Sequence, residues 1–155
     1  DNFLSPAQRR QGFSARTRSM SMNAFLGPFS ANTSDSWARG ENPFYSTYRQ
    51  FLRTTDIAKP SMIFVTLDEH PDSINDGFFL SSPDPNNGGW GDIPASYHGG
   101  ACGFSFADGH AEIHKWRSKG TIFPVTYAYP SVPSSVDAAF RTDYQWYAER
   151  VSVKR

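Results

Sequence analysis

The chain has 155 residues, 38% of them apolar, with 15 Lys and Arg against 15 Asp and Glu and so a formal net charge of zero. That length predicts one domain able to bury a real core, and neutrality removes any bulk attraction to nucleic acid. No apolar run reaches the roughly 18 residues of a membrane span, and 12 Gly and 11 Pro among few helix formers exclude a helical bundle.

The core must be built from flat rings, because the chain holds 13 Phe, 7 Tyr and 4 Trp. Residues 1–41 read as an extended, Arg-rich arm and 42–155 as the sheet and helices of the same single domain. Within the arm, residues 19–25 alternate weakly and predict a short strand. Asn42-Pro43 then resembles a helix start, with Asn42 as cap and Pro43 at the first position. Phe44, Tyr48, Phe51 and Leu52 follow at helical spacing, although an irregular strand can use the same aromatics. Residues 61–67 (SMIFVTL) form the clearest central strand. Residues 68–77 (DEHPDSINDG) are a polar loop, and 78–81 (FFLS) a strand returning beside the first. Residues 82–91 are turn chemistry throughout.

Residues 96–116 (SYHGGACGFSFADGHAEIHKW) organise the chain. Two short alternating runs flank Asp108-Gly109, a strong hairpin signal that predicts a type I′ turn. Three of the four histidines, His98, His110 and His114, fall here. Residues 121–132 are extended and broken by Pro124 and Pro130, as in an edge strand or surface arm. Residues 135–151 predict a helix, with Phe140, Tyr144, Tyr147, Ala148 and Val151 on one face and Ser134 or Ser135 as cap. The order argues for α+β with an antiparallel sheet.

His98, nine residues and Asp108-Gly109 fit the pattern of a known family. Further blocks agree in order: RSMSMN at 18–23, DEHPDSINDGFF at 68–79, ASYHGGACGFSFADGHAEIHKW at 95–116 and DYQWYAER at 143–150. Over nearly its whole length the chain resembles the prepilin-type processing-associated H-X9-DG domain of bacterial pilin-like and pseudopilin-like proteins. The resemblance implies a pilin-like head with an antiparallel sheet, long irregular loops and a C-terminal helix. Family members carry an apolar N-terminal helix that holds them in the membrane or a filament. That helix is missing here, and the chain opens at Asp1 rather than Met, so it reads as a processed or truncated piece. What it implies is a non-catalytic assembly subunit of a surface filament or secretion system, on the extracellular or periplasmic face. Its partners would be other copies of itself or other pilin-like subunits.

Candidate sites divide by chemistry. Asp68, Glu69, Asp72, Asn75 and Asp76 put five oxygen-bearing side chains in nine residues, enough for a calcium loop and equally suited to Asx-rich turns. Residues 68–92 carry no Lys or Arg. Residues 2–34 carry Arg9, Arg10, Arg16 and Arg18 and no acid, so the arm can meet an acidic patch on a neighbour. Strand periodicity puts His110 and His114 about 13 Å apart, too far to share one metal. His98 can approach His70 or Asp108 and orient the loop before the hairpin, and His110 belongs to the same motif. Cys102, the lone cysteine, reads as a small buried hydrophobe rather than a nucleophile. Trp37, Trp90 and Tyr97 are candidate surface contacts for a glycan. The alternatives to an assembly subunit are thus a secreted glycan- or protein-binding module and, less favoured, a metal-dependent hydrolase using His98, Asp108 and the acidic loop.

Overall fold

The computed structural model describes residues 9, 10, 12, 18–28, 39–86, 89–126 and 137–155. Five strands form one sheet: β1 (Met20–Asn23), β2 (Phe64–Asp68), β3 (Phe78–Phe79), β4 (Ala101–Phe106) and β5 (Ala111–Lys115). Their order across the sheet is β3-β1-β2-β4-β5, antiparallel except for the β1–β3 pair. The C-terminal helix, α1 (Ala138–Val151), packs on it. The architecture is α+β.

Aromatic alternation explains β4. Cys102, Phe104 and Phe106 are buried, and Gly103 and Ser105 face the other way. β2 departs from alternation for a physical reason. Phe64 opposes Phe106, but Thr66 opposes Ser105, so Val65 is an extra residue in β2. That bulge turns Phe64 and Leu67, three apart, both into the core. On α1, Phe140, Tyr144, Tyr147, Ala148 and Val151 are buried as their spacing predicts. The Tyr147 and Tyr144 hydroxyls donate to the Ser81 and Ser82 carbonyls, so the rings enter the core with their polar tips satisfied.

Several expectations need correction. The strand at 78–81 shrinks to β3 and does not pair with β2. β1, supplied by the N-terminal segment, lies between them and takes up β2's free edge. The hairpin turn is not type I′. Gly109 N–H donates to the Phe106 carbonyl and Phe106 N–H to the His110 carbonyl, which makes Ala107 and Asp108 the central pair. Gly109, at φ 93°, takes the left-handed position of a three-residue loop. Asn42 does act as a cap, accepting from Phe44 and Tyr45 N–H, but no helix follows. Instead Leu26 bridges Phe51, Glu41 bridges Arg49 and Tyr48 bridges Lys154, so the segment runs as an irregular edge between the N-terminal and C-terminal parts. The α1 cap is Asp137, whose carboxylate accepts from Phe140 N–H, rather than Ser134 or Ser135. Thr121 and Ile122 close a turn on the Ser118 carbonyl, residues 122–126 are irregular and join no strand of the sheet, and the remainder of the expected 121–132 arm lies outside the described residues.

Candidate functional site

The acidic loop and the loop before the hairpin meet where β2 ends. Asp68's carbonyl accepts from Ala95 N–H, and His70 N–H donates to Ile93, which lays residues 93–95 beside 68–70. This brings His98 Nε2 to 3.5 Å from Asp68 Oδ2. His98 therefore pairs with Asp68, not with His70 or Asp108. The pair is wet on one side, with His98 56% exposed and Asp68 16%. A Cβ at Gly103 would stand 3.2 Å from the same carboxylate oxygen, so the strand passes close to Asp68.

Asp72 and Asp76 of the acidic loop each tie down a segment. Asp72 Oδ2 accepts from Thr126 N–H and Oγ1–H at 2.8 and 2.9 Å. Asp76 Oδ1 accepts from Phe78 N–H at the start of β3, and its carbonyl accepts from Arg18. His70 is fully buried. Its Nδ1 accepts from Asp72 N–H, which leaves Nε2 to donate to the Phe123 carbonyl at 3.2 Å. Among the described residues, Asn75 Oδ1 is a buried acceptor that no donor reaches. Among the described residues no group of three His, Cys, Asp or Glu side chains stands together to hold a metal ion.

Glu69 is the most perturbed member. It is buried beneath β1, where Ser21 Oγ–H donates to one oxygen and Ser73 Oγ–H to the other at 2.9 Å. Desolvation, then the nearby Asp92 charge, pushes its pKa up to about 8. Asp92 itself rises to about 6, chiefly through burial. Burial thus favours the protonated form of Glu69, held inside the fold by both serines.

The hairpin histidines separate as strand periodicity requires. His110 stacks on Phe106 at 4.3 Å and places Nδ1 2.6 Å from Asp108 Oδ1 at the turn. The hydrogen bond from that ring holds the Asp108 carboxyl below its ordinary range. His114 lies on the inner face, stacked on Trp146 of α1 at 3.7 Å. Desolvation there, and then Arg150 and Arg117, lower its pKa to about 4. Cys102 is buried and its thiol donates to the Asp68 carbonyl, with burial driving its pKa well up, the opposite of an activated nucleophile.

Of the candidate surface aromatics, Trp90 is corrected. It is 5% exposed and sits between Tyr144 and Tyr147, because its ring is worth more in the core than in a polar turn. Tyr97 is exposed and packs on His98 at 4.5 Å. Trp37 lies outside the described residues. Sequence reasoning missed Asp143, a buried α1 carboxylate that accepts from Arg117 and Ser118 N–H and docks the helix to the end of the hairpin. It also missed that Arg155 joins Arg39, Arg49 and Arg53 around one cavity. Comparisons with protein-family models, with curated proteins and with solved structures give no match for this chain.

Proposed function

We propose that this domain is the head of a pilin-like or pseudopilin-like subunit, on the outer or periplasmic face of the cell, whose work is assembly rather than turnover. One observation carries the reading. The segments that resemble the H-X9-DG family come from four separate parts of the chain, yet they build a single frame. RSMSMN contains β1, DEHPDSINDGFF leads into β3 beside it, the motif stretch forms β4 and β5, and DYQWYAER lies in α1. His98 of the motif pairs with Asp68 of the acidic block. The titratable side chains of these blocks fasten strands and loops to each other, which suits a rigid subunit.

The test is made on the intact gene product in its own host. Processing should leave a shortened, membrane-anchored or filament-borne chain, recovered with sheared surface material or the envelope fraction. An unprocessed protein found only in the cytosol overturns the reading. Calcium belongs to the same proposal on narrower support, the donorless Asn75 Oδ1 in the acidic loop. Bound calcium would raise the melting temperature and EDTA would lower it, with the response lost in Asn75→Ala. Identical melting curves with calcium and with EDTA reject the ion.

A further inference from the structure

β5 ends one side of the sheet with its outer edge exposed. Trp116 N–H donates to the Gly100 carbonyl and Phe106 N–H to the His110 carbonyl, so residues 112 and 114 turn their backbone groups toward β4. Alternation then points the N–H and C=O groups of Ala111, Ile113 and Lys115 away from the sheet. No strand among the described residues takes them up. Natural edges are guarded by bulges, prolines, charge or short length. The opposite edge, β3, is two residues long. β5 instead keeps an unbroken register with β4, holds no proline, and carries a lysine only at its last position, Lys115. Ile113, at its centre, is 79% exposed.

This edge is complementary to itself. A second copy laid antiparallel about Ile113 sets Ile113 opposite Ile113 and Ala111 opposite Lys115, each pair exchanging two backbone hydrogen bonds. Between them, Glu112 of each copy comes opposite His114 of the other on the inner face. Within one chain, the Glu112 carboxylate and the His114 ring nitrogens take no hydrogen bond among the described residues; the ring stacks on Trp146 instead. Across the two-fold axis the imidazole N–H can donate to the carboxylate, at the spacing of about 5 Å between Cβ atoms of opposed residues. A slip of two residues either way would set Glu112 against Glu112 or His114 against His114, so the side chains select the register centred on Ile113. We propose that β5 is a homodimerisation edge, at which two copies of this chain join their sheets by antiparallel β5–β5 pairing. The proposal rests on the strand edge and not on the assembly reading above, because a two-fold pair closes on itself whereas a filament needs a head-to-tail contact.

The test follows the mass of the 155-residue chain by sedimentation velocity from about 1 μM to about 1 mM, the range in which so small an interface should associate. The parent should pass from monomer to dimer. Ile113→Lys sets like charges face to face and should weaken dimerisation at least about tenfold. Ile113→Pro removes an N–H that β4 does not use, which an edge strand tolerates, and should act in the same direction. The Ile113 side chain is exposed, so the Ile113→Lys monomer should melt as the parent monomer does. Ile113→Cys, treated with a short bismaleimide, should be captured as a covalent dimer, since the native Cys102 is buried away from the reagent. A parent that stays monomeric throughout, a dimer undiminished in Ile113→Lys and Ile113→Pro, or no capture of the Ile113→Cys variant overturns the proposal. Open-ended oligomers that survive Ile113→Lys also overturn it, because the contact is then head-to-tail and lies elsewhere.

Discussion

Glu69, which is buried, and His114, which is half-buried, are titratable groups of opposite sign, and each sets a slope on stability against pH. Glu69 has its folded pKa raised from 4.5 to about 8, so the folded state holds the proton more tightly. Its contribution is complete below about pH 4.5 and is lost as pH rises through about 8. Glu69→Gln keeps a neutral side chain able to meet both Ser21 and Ser73, and should remove that loss. Chemical denaturation should find the variant about 1–3 kcal/mol more stable than the parent at mildly alkaline pH and the two alike in mild acid. Parallel curves would show that Glu69 is already ionised in the fold. His114 has its folded pKa lowered from 6.5 to about 4, so its contribution is complete above 6.5 and is lost as pH falls toward 4. His114→Phe keeps a ring against Trp146 and should flatten that acid limb. In the parent, the two slopes oppose each other between about 4.5 and 6.5, so only the single variants expose them.

At the scale of elements, two glycines distinguish conformational from steric demand. Gly109 needs a positive φ of 93°, but a Cβ there meets nothing within 4 Å. Gly109→Ala should cost about 1 kcal/mol, with most of it recovered by Gly109→Asn, because Asn tolerates the left-handed region. Gly91 carries no such φ, but a Cβ would sit 2.5 Å from the Leu80 carbonyl oxygen, which itself accepts from Asp92 N–H. Gly91→Ala should cost about 3 kcal/mol, and Asn should not help. Thermal melts of the four variants check this, and rescue at Gly91 would contradict the steric account. The same elements mark what local pattern can and cannot specify. α1, β4 and β5 are legible because their periodicity agrees with their packing, although Asp108-Gly109 closes the hairpin with another turn than the pair suggests. The failed helix after Asn42 is not, because its bridges to Leu26 and Lys154 are made by residues distant in sequence, and these override a sound cap. β3's partner was hidden for the same reason: nothing in FFLS says that β1 will occupy the place beside β2.

For the molecule as a whole, the candidate site was legible by residue type but not by pairing. The His98 motif and the acidic block both read as important, yet only the closure of residues 93–95 onto 68–70 selects Asp68 as the partner. Trp90 is the clearest case of global packing deciding a role. Glycine-rich turn sequence surrounds it, which suggests exposure, but the fold draws it inward. Its ring lies 4.8 Å from Tyr144, 5.1 Å from Tyr147 and 5.9 Å from Trp116, and also contacts Phe79 and Phe140. The indole N–H donates to Thr121 Oγ1. Trp90 thus joins β3, α1, the end of the hairpin and the following segment in one cluster. Trp90→Ala should cost about 3–5 kcal/mol through lost burial and the cavity left behind. Against a domain stability of about 5–15 kcal/mol, that brings the protein near unfolding at ordinary temperature. Trp90→Phe should recover part of the loss but leave Thr121 Oγ1 without its donor. Denaturant midpoints with near-ultraviolet circular dichroism measure both effects. A glycan-stacking Trp90 makes the opposite prediction, a fully stable Trp90→Ala that loses only binding, so that result would return the residue to the surface.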